Sequence, residues 1–132
     1  MAWELSEREF EEILRLGAPK QFAYFVERCV ETGEVWGLAV DGADWGMTKD
    51  VNGLELFAVW PHERFAEACR HLHWSHRHPT PLRLDDFLDL VTPKLIADVV
   101  GVAVFPLPNL HCTAVDARQL QGALEAELMR TL

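Results

Sequence analysis

The spacing of apolar and polar positions changes period several times along the chain, and each change predicts an element. Ser6 with Glu9 three residues on forms a capping box, and Phe10, Ile13 and Leu14 then recur at helical spacing. A short first helix is predicted, stopping near Gly17. Pro19 opens a second helix whose apolar stripe is Phe22, Phe25, Val26, Cys29 and Val30, with Gly33 as its C-terminal cap. From Glu34 to Asp50 the period falls to two: Trp36, Leu38 and Val40 share a face, and after the Asp41-Gly42 turn Trp45 and Met47 continue a paired strand. Asn52-Gly53 is a second turn signal, so a strand from Leu54 closes a three-stranded antiparallel meander.

Leu54, Leu56, Ala58 and Trp60 alternate with Glu55, Phe57 and Val59, which leaves both faces largely apolar and predicts an interior strand. Pro61 ends that strand and is expected at the first position of a helix. In this helix Phe65, Ala68, Cys69 and Leu72 pack, while Glu63, Glu67, Arg70 and His71 face water. The stretch from His73 to Pro81, with two prolines and little hydrophobicity, reads as a surface connection. Asp85 or Asp86 then caps a helix through Phe87, Leu88 and Val91, and Thr92-Pro93 starts another that ends at Gly101. Val102 to Phe105 is a strand whose flanking Pro106 and Pro108 point to an edge position, and His111 to Val115 is its hairpin partner. Asp116 with Gln119 caps a last helix carrying Leu120, Ala123, Leu124 and Leu128. The predicted fold class is α+β: a single domain over residues 1–132 in which helices pack on an antiparallel sheet of about five strands, the meander plus the later hairpin.

Composition narrows the function. The 132 residues are 49% hydrophobic, enough for one core. The longest apolar run, Val99 to Leu107, is interrupted by Gly101 and Pro106 and falls far short of the ~20 residues that span a bilayer. The first ten residues are acidic and amphipathic, unlike a secretory signal, so a soluble cytoplasmic protein away from the membrane is expected. Twelve Lys+Arg against 21 Asp+Glu give a net charge of −9, which opposes nucleic acid and favours a basic protein partner. Cys29, Cys69 and Cys112 are odd in number, widely spaced and set in apolar segments, as buried reduced thiols are.

One segment runs against the overall charge. From Ala68 to Leu84 there is no carboxylate, yet Arg70, Arg77 and Arg83 occur with His71, His73, His76 and His78. His73, His76 and His78 are candidate ligands for zinc or nickel, since neutral imidazole binds both, but their spacing fits no standard site and a solvated loop is the expected use. His62, predicted near a helix N-terminus, and Trp60 beside it could edge a small pocket for an anion or other ligand, with Trp36 on the neighbouring strand. Trp36, Trp45 and Trp60 lie on three consecutive predicted strands, where core packing is more usual than a recognition surface. Glu63, Glu67 and His71 recur every four residues, as on a solvated helix face. With two serines, Ser6 and Ser75, and no GxSxG, P-loop, HExxH or GxGxxG arrangement, the chain leans away from an enzyme, and no catalytic residue is assigned.

The ordered run EVWGLAVDGADWGM, GLELFAVWPHERFAEAC, LRLDDFLD, GVAVFPLP and the capped terminal helix resembles a bacterial family catalogued as domain of unknown function 2750. Trp36-Gly37-Leu38 and Val59-Trp60-Pro61-His62 carry the resemblance most specifically, and it extends from about Pro19 onward. It implies a compact α+β fold and no particular chemistry. The His73 to His78 stretch departs from the short Gly- and Trp-bearing loop usual in that family. The Trp-Pro strand-to-helix junction is also distantly similar to the N-terminal domain of SseB-type proteins. Two functions from different classes are carried forward: a non-enzymatic interaction or regulatory module with an acidic surface, toxin-neutralising among its possible roles, and a small-molecule or metal-binding protein using Trp60, His62 and the histidine-rich stretch.

Overall fold

The helices begin and end where local chemistry places them. A computed structural model describes residues 4–71, 74–109 and 111–132. In it α1 (Glu7–Leu14) starts at Ser6, whose Oγ accepts the Glu9 N–H at 3.1 Å. The Glu9 carboxylate accepts the Tyr24 hydroxyl at 2.6 Å and so ties α1 to α2 (Ala18–Thr32). Gly33 caps α2 in the left-handed conformation, φ 75°, its N–H returning to the Cys29 carbonyl. The last helix, α6 (Ala117–Arg130), starts at Asp116, whose Oδ1 accepts the Gln119 N–H at 2.7 Å.

The meander forms, but it is split between two sheets. β1 (Glu34–Val40) pairs antiparallel with β2 (Ala43–Trp45), and β3 (Met47–Lys49) pairs antiparallel with β4 (Glu55–Val59). The returning strand breaks at Gly46, whose N–H donates to the Leu38 carbonyl while its own carbonyl accepts from Ala58. A Cβ there would lie 3.2 Å from Trp74 Nε1 and 3.3 Å from the Leu38 oxygen, so a side chain would press against both strands and ring. Trp36 and Trp60 exchange backbone hydrogen bonds in both directions at 2.9 and 2.8 Å, a second join between the sheets.

The expected single antiparallel sheet of about five strands is therefore corrected to a three-stranded sheet, β2-β1-β5, and a four-stranded one, β3-β4-β6-β7. Within the second, β6 (Gly101–Val104) runs parallel to β4, and β7 (Thr113–Val115) closes it antiparallel. The chain between β4 and β6 is long enough for the crossover that a parallel pair requires. Every residue of β6 is buried, so Pro106 and Pro108 follow an interior strand and mark no edge.

A second correction concerns the presumed surface connection. His78–Arg83 is β5, paired with β1 over six residues, from Glu34↔Arg83 to Ala39↔His78. Trp36 and Leu38 turn their backbone groups toward Trp60 and Gly46, so Val35, Gly37 and Ala39 face β5 opposite Leu82, Thr80 and His78. Pro79 and Pro81 occupy the alternate positions, where the missing N–H points to the open edge.

Third, the two helices expected between Asp85 and Gly101 are one continuous run. α4 (Leu84–Asp86) passes through a π segment (Phe87–Val91) into α5 (Thr92–Ala97). Arg83 is the N-cap, and Asp85 and Asp86 sit in the first turn, where carboxylates oppose the helix dipole. In the wider π register the donor to the Leu88 carbonyl would be residue 93, a proline. The buried Thr92 hydroxyl supplies that bond instead at 3.0 Å, while the Thr92 N–H reaches the Phe87 carbonyl. The run stops before Gly101: Asp98 is the C-cap, and Val99 follows at φ 56°.

Fourth, α3 (Glu63–Glu67) is shorter than its periodicity predicts, and Pro61 precedes the N-cap His62 instead of opening the helix. Phe65, Ala66 and Cys69 are buried, and Leu72 lies outside the described residues. One apolar cluster joins the strands to α2, α3, the helical run and α6, with Phe25, Trp60, Phe65, Phe87 and Leu120 among its fully buried members. Among the described residues no helix is long and apolar enough to cross a membrane.

Candidate functional site

The strand-to-helix junction is densely packed. Trp60 is fully buried at the end of β4, stands edge-on to Trp74 with centroids 5.6 Å apart, and donates its indole N–H to the Pro106 carbonyl at 2.8 Å. The same carbonyl takes the Cys69 thiol at 3.2 Å. His62 is half-buried, and its Nδ1 accepts the Arg64 N–H at 3.1 Å as the cap of α3. Trp36 is half-buried and meets Trp60 through the backbone. The junction thus brings Trp36 and Trp60 together; the Trp60 indole and the Cys69 thiol hold the Pro106 carbonyl, and His62 Nδ1 caps α3.

The basic segment is fastened to the protein by its arginines. Arg77 donates to the Asp44 carbonyl at 3.0 Å and to its carboxylate at 3.2 Å, and Arg70 donates to the backbone carbonyls of Arg77 and Ser75. Trp74 adds a bond from its indole to the Met47 carbonyl at 3.2 Å. Of the candidate metal ligands, His73 lies outside the described residues, His76 is exposed beside Arg77, and His78 is exposed at the start of β5. His71 Nε2 lies 3.0 Å from the Pro108 carbonyl. Among the described residues no three His, Cys, Asp or Glu side chains converge as a metal would need. Glu63, Glu67 and His71 do not share a helix face, because α3 ends at Glu67, which pairs with Arg70 at 2.9 Å.

Burial sets the cysteine chemistry. Cys29 and Cys69 are fully buried; desolvation pushes the Cys29 thiol well up and the Cys69 thiol up to about 12. Cys112 is only half-buried, a departure from expectation, yet burial still raises its pKa and keeps it a neutral thiol.

The surface feature with the clearest chemistry is a groove of about 670 Å³ between β2–β4 and the helical run. Trp45 leans on Phe57, centroids 5.7 Å apart, and its six-membered ring crosses Gly37 so closely that a Cβ there would fall 2.8 Å from it. Trp45, Phe57 and Leu95 make the floor, and Leu90, carried outward on the π segment, is 67% exposed at the lip. Asp44, Glu55, Asp98 and Lys94 form the rim, with the Lys94 ammonium 3.0 Å from Asp98. Arg77 also pairs with Asp44, so three carboxylates meet two cations and the rim keeps one net negative charge. From the sequence Trp45 is expected in the core more than on a recognition surface, and Leu90 is not singled out; its one signal is an apolar residue next to Asp89 and off the buried stripe.

The family described as "Protein of unknown function (DUF2750)" matches residues 22–124. The chain belongs to that family. No curated protein and no solved structure matches it. The DUF2750 match runs from early α2 into α6, so it takes in both sheets, the Trp60–His62 junction and every lining residue of the acid-rimmed groove. Ser6, Glu9 and the rest of α1 precede the DUF2750 match.

Proposed function

We propose that the protein is a cytoplasmic, non-enzymatic interaction module of regulatory type, whose acid-rimmed groove takes a basic amphipathic segment of a partner protein. The observation that carries this reading is Leu90, 67% exposed beside Trp45 and Phe57 and ringed by Asp44, Glu55 and Asp98. Large apolar side chains in water beside a shaped concavity mark protein-binding surfaces, and burying one of them on a partner contributes roughly 1.5–3 kcal/mol. The acidic rim and the net charge of −9 favour a cationic partner and oppose a phosphate backbone. Restraining a toxic basic protein by covering its cationic surface is one role of this type.

The test is a calorimetric titration with an amphipathic Lys/Leu peptide, an acidic Glu/Leu counterpart as control, and the Leu90→Asp variant. Leu90 is exposed, so the substitution leaves the core alone. The expected result is saturable binding of the basic peptide, absent with the acidic one and weakened by about tenfold or more, at least about 1.4 kcal/mol, in Leu90→Asp. Equal binding to wild type and Leu90→Asp would remove the reading.

A further inference from the structure

A second concavity, of about 710 Å³, opens between the α1–α2 turn, the β3–β4 turn and the chain after β6. It shares no lining residue with the acid-rimmed groove. Leu16, Leu56 and Leu107 provide apolar walls, and the neutral Cys112 thiol adds a soft, weakly polar one. Its size lies in the range of about 300–1,000 Å³ typical of ligand pockets, which combine mostly apolar walls with a few fixed polar groups.

Gln21 is the fixed polar group. It lines the concavity although only 5% exposed, and its Nε2 donates to the Ile13 carbonyl at 3.0 Å, which sets the orientation of the amide. Its Oε1 has no hydrogen-bond partner among the described residues, and the atom is not sealed from the surface. The Gln21 oxygen is thus held in one orientation with its lone pairs open, so it can accept a hydrogen bond from a donor placed in the concavity. At the mouth Lys49 is exposed, with no ion-pair partner among the described residues, and the neighbouring Asp50, which also lines the concavity, accepts at Oδ1 from the N–H groups of Asn52 and Leu54.

We infer that this concavity is a binding site for a small amphiphilic anion: an apolar ring or chain against Leu16, Leu56 and Leu107, an N–H or O–H donor to Gln21 Oε1, and an acid group at the mouth near Lys49.

Anilinonaphthalene sulfonate has all three features and serves as the probe, measured by equilibrium dialysis and by protection of Cys112 from iodoacetamide. Expected is saturable binding at one probe per chain, slowed alkylation of Cys112 in its presence, and affinity weakened by about tenfold or more in Gln21→Met. Ala114→Phe should weaken the probe equally; Ala114 is exposed on β7, so that variant fills the concavity without disturbing the core, and an unchanged thermal midpoint shows that it folds. Binding that Ala114→Phe leaves intact, binding that leaves Cys112 equally reactive, or no saturable binding would each overturn the site. Loss of the probe in Leu90→Asp but not in Ala114→Phe would place it in the acid-rimmed groove and likewise overturn it, whatever the peptide titration shows.

Discussion

Phe65 stands among three aromatic rings, with centroids 5.1 Å from Phe10, 6.2 Å from Tyr24 and 4.7 Å from Phe105. Phe65→Ala removes these contacts and opens a void where α1, α2 and α3 meet. Urea unfolding is expected to show a loss of about 3–5 kcal/mol, whereas Glu63→Ala, on the exposed side of the same helix, changes stability by less than about 1 kcal/mol. The Cys69 thiol gives a pH dependence with a definite sign. Its folded pKa, about 12, lies above the ordinary 9.0, so above pH 9 the folded state keeps a proton that the unfolded chain gives up. That contribution is fully present below pH 9 and is lost as pH rises through about 12. Cys29 by burial, and Tyr24 by burial with the Glu9 carboxylate adding to it, shift the same way, so denaturant-measured stability should show no loss from these groups near neutrality and a decline above about pH 9. The apolar setting of the cysteines in the sequence foretold the buried Cys29 and Cys69. It did not foretell the half-exposed Cys112, because the surroundings of that residue come from the α1–α2 turn, α2 and β4, remote in the chain.

At the level of elements, the histidine- and proline-bearing segment is the instructive misreading. Two prolines in a polar stretch look like a loop, but their spacing of two is what an edge strand tolerates: both missing donors fall on the side away from β1. The register makes a sharp prediction. Thr80→Pro removes a ladder donor facing Gly37 and should cost about 1–3 kcal/mol in thermal or denaturant unfolding, whereas Pro81→Ala, one residue on, should be tolerated within about 1 kcal/mol. Equal effects at the two positions would refute the register. The helical run teaches a related lesson, since Thr92-Pro93 looked like a new helix start. A proline that cannot donate to Leu88 and a threonine hydroxyl that can are together compatible with an unbroken run.

For the whole molecule, the charge of −9 is widely distributed, and ion pairs such as Arg8–Glu12 and Lys94–Asp98 are surface pairs worth less than about 1 kcal/mol each. Its consequence is therefore for association more than for folding. Basic-peptide binding at the acid-rimmed groove should weaken as salt is raised from about 0.05 to 0.5 M, because the Debye length falls and the Asp44, Glu55 and Asp98 field is screened. A salt-independent affinity would show that the apolar floor acts without the rim.

The sequence by itself determined what depends on neighbours within about four positions: the Ser6 and Asp116 caps, the Gly33 stop, the Asp41-Gly42 and Asn52-Gly53 turns, and the doubly covered strand Glu55–Val59. Tertiary structure alone decided the split of the strands into two sheets at Gly46, the parallel β4–β6 pair, β5 on the flank of β1, and the two concavities. The physical reason is that a strand's partner is chosen by hydrogen-bonding and apolar surfaces contributed from tens of residues away, as when Val59 finds Val104 and Trp60 finds Pro106. Periodicity records which face of an element is apolar; it does not record which distant element will cover that face.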